Sequence, residues 1–250
     1  EILILSFVQG VTEFLPISSS SHLIIISEFM NFQDQNLSID VSLHIGSFIA
    51  VLTYFNKDIL NFFENKKLFI KILVSSIPVM IVGYILIKTD FIHELRSIKV
   101  IGWMTIIFGC LLYVSDKCNL QKNIKSNFNY KSALIIGLFQ IASLIPGVSR
   151  SGVTITAARF LNFNRYDSAK ISFLLSIPTL AAVSAFGLRN IIISSDTIFS
   201  TLNLLSIFLS FLISYITIKF FLEYLKKFSL SFFVAYRMIL GVILLYFAYL

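Results

Sequence analysis

The chain has 250 residues, of which 57% are hydrophobic and 13% charged, with 20 Lys and Arg against 13 Asp and Glu. Ordinary soluble proteins carry about 25% charged residues, whereas this chain has a mean hydropathy of +0.87. A soluble fold of this composition could not cover its surface with polar groups. Cytosolic enzymes, disordered chains and secreted disulfide scaffolds are therefore excluded, and the composition predicts an all-α protein that crosses the lipid bilayer several times.

The positive net charge does not indicate nucleic-acid binding, because Lys and Arg stand in short clusters between apolar runs. Such clusters are typical of the loops of membrane proteins. The two cysteines, Cys110 and Cys118, form neither a metal-binding motif nor a plausible disulfide. The apolar first segment has no basic region and no small-residue cleavage site, so no cleavable signal peptide is predicted.

Six segments are long and apolar enough, or nearly so, to cross a bilayer core, which requires roughly 20 helical residues. They are 40–56, 68–88, 98–115, 169–189, 197–222 and 230–250. Two further apolar stretches, 2–29 and 131–160, are each interrupted by a proline and a serine-rich run. Proline breaks a helix, and the remaining halves are too short to span a membrane. We therefore predict two re-entrant helical hairpins whose broken tips are surrounded by protein or water.

The order of these elements is a re-entrant hairpin and three spans, followed by a second hairpin and three more spans. This order predicts a single membrane domain, 1–250, built from a first half at 1–115 and a second half at 131–250. Because three is an odd number, the halves would have opposite orientations, and such inverted repeats place a binding site where their broken helices meet. Residues 75–79 (SSIPV) and 175–179 (LSIPT) are a second likeness between the halves.

The distribution of positive charge predicts the orientation in the membrane. Thirteen Lys and Arg fall in the loops of one face and four in the loops of the other. The positive-inside rule places the larger set in the cytoplasm, so both termini are predicted outside and the first hairpin enters from the outside. The larger set is Lys57, Lys66, Lys67, Lys117, Lys122, Lys125, Lys131, Arg159, Arg165, Lys170, Lys219, Lys226 and Lys227, and the smaller is Lys88, Arg96, Lys99 and Arg189.

Three ionisable residues, Glu13, His22 and Arg150, stand in or next to the serine-rich breaks of the two segments. A charge at the centre of a bilayer costs about 2.5–3.5 kcal/mol even on a lenient scale, so these residues are candidate functional groups. After Pro16, Ser18 can cap a new half-helix whose first N–H groups are free, and residues 149–151 can open a second one after Pro146 and Gly147. Two helix N-termini and an arginine side chain form an anion cradle, and phosphate or diphosphate is the anion that matches it best.

The same segments contain a candidate nucleophile and base. Ser19 and His22 are three residues apart, so on a helix they would share a face and could hydrogen-bond, as an activated hydroxyl requires. Glu13 could orient His22, accept a proton or hold a divalent cation. Gln9 lies one turn before Glu13, but an amide is a poor ligand for a hard metal, so a two-carboxylate metal site is not predicted.

Each of these residues, taken alone, also has a simpler structural explanation. A serine in a membrane helix is often only an interhelical contact, and Arg150 could extend to the membrane surface. Asp40 and His44, one turn apart, could line the mouth of a cavity or simply end the first span. The combination of two serine-rich breaks with all three charges favours a functional site.

Residues 9–22, QGVTEFLPISSSSH, resemble the (E/Q)xxxE and proline–serine–histidine motif of the bacterial undecaprenyl-diphosphate phosphatases, the family associated with bacitracin resistance. Residues 146–154, PGVSRSGVT, are similar to the PGxSRSxxT motif of the same family. The stretches 40–47 and 172–178 are also similar, so the resemblance covers nearly the whole chain.

The resemblance implies a hydrolase that removes the terminal phosphate of undecaprenyl diphosphate on the outer side of the bacterial inner membrane, returning the lipid carrier to peptidoglycan synthesis. By motif position it implies Ser19 as candidate nucleophile, assisted by His22 and Glu13, with the attacking group left open between Ser19, His22 and water. It also allows an assisting divalent cation, Mg²⁺ or Ca²⁺, without a ligand set in the sequence. The residues that it assigns to the diphosphate are Arg150, Ser149, Thr154 and Ser18, with Gln9, Gly147 and Ser151 from the same motifs.

The main alternative is a transporter or flippase of polyprenyl phosphate, because inverted repeats with half-helices aimed at an anion are a transporter design. A transporter needs no nucleophile and base, so Ser19 and His22 favour the enzyme. A membrane adaptor without a site would leave Glu13 and Arg150 unexplained. The sequence leaves the oligomeric state open, a homo-oligomer included.

Overall fold

The structure, a computed structural model, describes residues 1–30, 37–64, 66–89, 95–118, 122–193 and 201–250. Within these residues the chain forms twelve α-helices and no β-strand, which confirms the predicted all-α class. In chain order the helices are α1 (Ile2–Thr12), α2 (Ser19–Met30), α3 (Leu37–Tyr54), α4 (Asn56–Glu64), α5 (Lys66–Lys88), α6 (Ile98–Asp116), α7 (Ile124–Asn127), α8 (Tyr130–Ile141), α9 (Arg150–Phe160), α10 (Arg165–Ile193), α11 (Thr201–Lys227) and α12 (Ser231–Tyr249). A 3₁₀ turn, Ala142–Leu144, extends α8.

Six of the described helices, α3, α5, α6, α10, α11 and α12, are long and apolar enough to cross a membrane. They confirm the six predicted spans, with ends that differ by a few residues; the start of the predicted span 197–222 lies partly outside the described residues. Large apolar side chains such as Ile216, Phe220 and Ile239 are more than 60% exposed on these helices. A surface of this kind is stable only against lipid, so the chain is a multi-pass membrane protein.

The two interrupted segments each form a pair of short helices that pack against each other, α1 with α2 and α8 with α9. The four helices have 11, 12, 12 and 11 residues, whereas a spanning helix needs roughly 20. Each pair reverses direction at a turn that contains a proline, Pro16 or Pro146. These pairs are compatible with the two predicted re-entrant hairpins.

The two halves of the chain interlock through reciprocal contacts. Helix α1 of the first half packs against α11 of the second, and α8 of the second half packs against α5 of the first. Both contacts are close enough to require glycine, because a Cβ at Gly10 would collide with Ile213 and one at Gly137 with the backbone of Ser75. In both cases the first arm of one hairpin meets the second span of the other half, as a duplicated and interlocked chain would arrange them.

The likeness between residues 75–79 and 175–179 does not support the duplication. The first stretch lies in α5, the second span of its half, and the other in α10, the first span of its half. These are different places in the repeat. What the two stretches share is a proline inside a spanning helix, Pro78 and Pro178, and α5 and α10 pack against each other.

One short helix departs from the predicted layout. The predicted loop between the first two spans contains α4 (Asn56–Glu64), which is joined to α10 by an ion pair between Asp58 and Lys170, with Nζ and Oδ1 2.7 Å apart. A search for 20-residue apolar runs does not detect such a helix, because its nine residues are on average not apolar.

The close contact at Gly137 predicts a measurable difference between two glycine substitutions. Gly137→Ala should lower the unfolding temperature in detergent and cost about 1–3 kcal/mol, because the new methyl group forces α8 away from α5. Gly83→Ala is the matched control, since its Cβ would meet only the Leu144 side chain at 3.4 Å. Replacing glycine inside a helix stabilises by up to about 1 kcal/mol, so this variant should be as stable as the parent or more so. Equal unfolding temperatures for the two variants would contradict the close α5–α8 contact.

Candidate active site

The tips of the two hairpins each contain a serine with a positive φ. Ser18 precedes α2 and has φ of +75°, and Ser149 precedes α9 and has φ of +70°. Both values lie in the left-handed region, which residues other than glycine seldom occupy. The hydroxyl of Ser149 caps α9 by accepting a hydrogen bond from the Gly152 N–H at 3.1 Å. Each tip therefore ends in a serine that turns the chain sharply into the second arm.

Arg237 of α12 joins the two tips from behind. Its side chain is fully buried, and Nη1 donates to the Pro16 carbonyl oxygen at 3.1 Å and to that of Val148 at 3.0 Å. Nη2 donates to the Gly147 oxygen at 2.8 Å, and Nε to that of Thr105 in α6 at 3.1 Å. One guanidinium group thus satisfies carbonyl groups of both tips that no helix can satisfy. A cation in the middle of an apolar span is the sequence signal that could have identified this residue.

A further hydrogen bond connects the tips directly, because the Ser151 hydroxyl donates to the Leu15 carbonyl oxygen at 2.7 Å. Of the predicted site residues, Ser151 therefore forms a direct contact between the tips, whereas the carbonyl oxygen of Gly147 is bound by Arg237. Phe14 supports the first tip from the other side, with its ring edge-on to Phe173 of α10 at a centroid distance of 5.3 Å.

Glu13 is the centre of the polar side chains at the tips. Its Oε1 accepts a hydrogen bond from Arg150 Nη2 at 2.9 Å, which is also an ion pair between the two halves. Its Oε2 accepts from the Ser19 hydroxyl at 2.7 Å and from Gln9 Nε2 at 3.2 Å. The predicted residues Gln9, Glu13, Ser19 and Arg150 are thus brought together around one carboxylate.

Arg150 is held in place by the residues behind it. Its Nη1 donates to the Ser172 carbonyl oxygen of α10 at 3.2 Å. The hydroxyl of Thr154 donates to the Ser172 hydroxyl at 2.7 Å and contacts the Arg150 carbonyl oxygen at 2.8 Å. Thr154 therefore supports the α9–α10 contact next to Arg150, and its predicted contact with the diphosphate stays a prediction.

The predicted hydrogen bond between Ser19 and His22 is wrong. The Ser19 hydroxyl faces back across the tip to Glu13, whereas the His22 ring faces α12. His22 Nδ1 donates to the Ser18 carbonyl oxygen at 2.6 Å, and Nε2 bonds to the Tyr236 hydroxyl at 2.6 Å. The two side chains diverge because Ser19 is the first residue of α2, at the turn, and helical spacing does not determine its direction there.

A cavity of about 620 Å³ opens in front of the tips. Five of the ten predicted site residues line it: Glu13, Ser18, Ser19, Ser149 and Arg150. The other five, Gln9, His22, Gly147, Ser151 and Thr154, do not line it.

The cavity has a polar end and an apolar end. The polar end is formed by the hairpin tips, whereas the apolar end is formed by α5 and α10. The apolar lining residues of these two helices are Val79, Met80, Tyr84, Ile87, Leu180, Ala182, Val183 and Phe186. His44 also lines the cavity, and its Nδ1 donates to the Asp40 carbonyl oxygen at 2.8 Å. This places His44 at the cavity rather than at a simple end of the first span.

The donor set around the cavity fits a divalent cation only in part. Among the described residues, no group of three or more His, Cys, Asp and Glu could hold an ion, and Glu13 is the one carboxylate that lines the cavity. Both of its oxygens accept hydrogen bonds from Arg150, Ser19 and Gln9. Mg²⁺ can bind through one carboxylate together with substrate phosphate oxygens and water, so Glu13 is the residue that would hold it, and a cation here stays a prediction.

The chain matches known proteins over nearly its whole length. The family model described as bacitracin resistance protein BacA matches residues 2–243. A protein of Pelagibacter ubique named undecaprenyl-diphosphatase is 52% identical over 245 residues, which are 98% of this chain and 95% of that protein. A protein of the same name from a Jannaschia species is 39% identical over 259 residues, covering 98% and 97% of the two chains. Undecaprenyl-diphosphatase 1 of Pseudoalteromonas translucida is 39% identical over 260 residues, covering 99% and 97%.

The position of Arg237 predicts a strong dependence of folding on this side chain. Arg237→Met should lower the free energy of unfolding by at least about 3 kcal/mol, because several buried carbonyl groups lose charged donors worth about 1.5–3 kcal/mol each. Arg237→Lys keeps the charge but cannot reach the carbonyls of both tips, so it should be intermediate. Arg189→Ala, on an exposed side chain of α10, is the control and should change the stability by less than about 0.5 kcal/mol. Thermal unfolding in detergent measures all three, and a wild-type unfolding temperature for Arg237→Met would contradict the role of this residue.

Proposed function

Because this chain belongs to the bacitracin resistance protein BacA family, we propose that it is an undecaprenyl-diphosphate phosphatase. The reaction is hydrolysis of undecaprenyl diphosphate to undecaprenyl phosphate and inorganic phosphate. The names of the relatives support this substrate. The observation that carries the proposal is the hydrogen bond from the Ser19 hydroxyl to Glu13, with Arg150 on the other carboxylate oxygen.

The shape of the cavity suits a lipid diphosphate. The diphosphate would lie at the polar end, where Arg150 and the free N–H groups at the starts of α2 and α9 attract an anion. The first isoprene units of the lipid would lie between α5 and α10, where the apolar side chains of these helices line the cavity. A soluble phosphate ester has no apolar group that could fill the apolar end of the cavity.

Ser19 is the proposed nucleophile and Glu13 the proposed base. The Ser19 oxygen attacks the terminal phosphorus, the bond from that phosphorus to the bridging oxygen breaks, and the hydroxyl proton passes to Glu13 over a hydrogen bond of 2.7 Å. Glu13 then returns the proton to the departing lipid monophosphate. In the second step a water molecule attacks the phosphoserine, gives a proton to Glu13 and releases phosphate, and Glu13 restores the Ser19 hydroxyl.

Arg150 binds the phosphate oxygens and opposes the charge that develops on them. His22 is a weaker candidate for the nucleophile than Ser19, because both of its ring nitrogens are hydrogen-bonded outside the cavity. Its proposed contribution is to hold the first turn of α2 through the Ser18 carbonyl oxygen. A divalent cation, if one assists, would neutralise charge on the diphosphate beside Glu13.

We also propose that the cavity opens to the outer side of the inner membrane. The cavity is lined by residues at the start of α3 and at the ends of α5 and α10, among them Leu37, Ile87 and Asn190. These helix ends face the side with four loop cations, whereas thirteen lie on the opposite side. The positive-inside rule then places the cavity mouth and both termini outside the cytoplasm.

The proposed mechanism predicts large losses of activity. Purified protein in detergent should release phosphate from undecaprenyl diphosphate, and Ser19→Ala and Arg150→Ala should each reduce kcat/KM at least ~100-fold, since ~1.36 kcal/mol of transition-state stabilisation is a factor of ten. Ser6→Ala is the matched control, because Ser6 is a buried serine of α1 that does not line the cavity. If the wild type binds the lipid but releases no phosphate with Mg²⁺ or Ca²⁺ present, the phosphatase is contradicted and the polyprenyl-phosphate transporter takes its place.

The orientation can be tested with single cysteines on a Cys110→Ser and Cys118→Ser background. Arg96→Cys, on the predicted outer face, should react with a membrane-impermeant maleimide in intact spheroplasts. Lys67→Cys, on the predicted cytoplasmic face, should react only after permeabilisation. Both side chains are exposed, so accessibility alone does not separate them. The reverse labelling pattern would invert the topology and move the cavity to the cytoplasmic side.

A further inference from the structure

Gln140 of α8 is a buried amide without a hydrogen-bond partner. It lines the cavity, its exposed fraction is 0%, and among the described residues neither Nε2 nor Oε1 has a partner. An unpaired amide in an apolar environment is unfavourable, and the large majority of buried side-chain polar atoms have a partner. A side chain of this kind at a cavity wall therefore points to a ligand.

The repeat explains why Gln140 is unpaired. Gln140 lies nine residues before Ser149, and Gln9 lies nine residues before Ser18, the two serines with positive φ. The two glutamines thus occupy equivalent places on the first arms of the hairpins. Gln9 Nε2 donates to Glu13, four residues further on. The residue four positions after Gln140 is Leu144, which offers no acceptor in its side chain.

The cavity in front of Gln140 is suited to an acceptor that is already negatively charged. Ser149 and Arg150, the tip residues of the same hairpin, line the same cavity. A phosphate oxygen beside Arg150 can accept a further N–H bond, and hydrogen bonds to charged groups contribute more than those between neutral ones. The amide also adds no charge of its own, so it leaves the ion pair between Arg150 and Glu13 undisturbed.

We propose that Gln140 is a diphosphate-binding residue whose Nε2–H donates to a phosphate oxygen of the substrate. The proposal rests on the proposed function, since it names a residue of that same site. In this proposal the second hairpin provides two different hydrogen-bond donors for the diphosphate, the charged guanidinium group of Arg150 and the neutral amide of Gln140. The first hairpin supplies the nucleophile and the base.

The opposite explanation is that Gln140 has a structural role, and the two explanations predict different stabilities. A structural amide loses contacts when it is replaced, so the protein becomes less stable. A ligand-binding amide that is unpaired in the free protein destabilises that protein. Its replacement by an apolar side chain of similar size should therefore leave the unfolding temperature equal or higher. Activity and stability should then change in opposite directions.

The test uses Gln140→Met, which removes the amide at similar volume, and Gln140→Glu, which keeps the shape and adds a negative charge. The control is Ser184→Ala, since Ser184 of α10 is also buried and unpaired but does not line the cavity. The measurements are kcat/KM for undecaprenyl diphosphate, binding of inorganic diphosphate by calorimetry, and the unfolding temperature.

Gln140→Met should reduce kcat/KM and diphosphate affinity at least about tenfold, as expected for a lost bond to a charged group, with an unfolding temperature at or above that of the wild type. Gln140→Glu should lose more, because its carboxylate repels the diphosphate. The control should match the wild type in both functional measurements.

The proposal is overturned if Gln140→Met keeps kcat/KM and diphosphate affinity within about twofold of the wild type, or if the unfolding temperature of this variant falls. It is also overturned if inorganic diphosphate does not bind to the wild type. Failure of the proposed function is a separate result, in which the wild type releases no phosphate from the lipid. Diphosphate binding to the wild type and to Gln140→Met then still decides the role of the amide.

Discussion

The guanidinium group of Arg237 is the constraint on which the active site depends. A helix that is broken at a turn leaves carbonyl groups that the neighbouring turns cannot satisfy, and lipid cannot satisfy them either. Arg237 donates to carbonyl oxygens of Pro16, Gly147 and Val148, and so joins both tips to α12. A buried arginine is itself costly, and here the carbonyl dipoles of the tips disperse its charge. The buried guanidinium group and the unpaired carbonyl groups of the tips therefore stabilise each other.

This arrangement also determines which side of the tips faces the cavity. The carbonyl groups at the turns point back towards Arg237, so the starts of α2 and α9 point forwards, with Ser19 and Arg150 as their first residues. An anion in the cavity therefore meets free N–H groups and side chains, while the carbonyl oxygens that would repel it are bound behind the turns. Glu13 is the exception, a carboxylate at the front, and it forms an ion pair with Arg150.

Much of the fold and of the site was predictable from the sequence, because breaks and apolar lengths are local properties. The six spans, the two interrupted hairpins and the grouping of Glu13, Ser19 and Arg150 follow from proline, serine and charge placed within a few residues. Local patterns do not show which way a side chain turns at a tip with positive φ. The Ser19–His22 hydrogen bond failed for this reason. Arg237 could be noticed as a cation in an apolar span, but its role could not be predicted because its partners lie some 90 and 220 positions away in the chain.

The remaining feature of the site is that its two tips share a serine with positive φ but carry different chemical groups. Ser19 and Arg150 both follow a serine with positive φ, and Gln9 and Gln140 both stand nine residues before that serine. Equal groups at these places would give two nucleophiles or two anion-binding groups. Phosphoryl transfer uses a nucleophile with its base, together with donors that hold the phosphate. In the proposed mechanism Ser19 and Glu13 of the first hairpin take the first task, and Arg150 and Gln140 of the second hairpin take the other. Leu144, the counterpart of Glu13, has no acid–base group, so the first hairpin is the one that supplies the base.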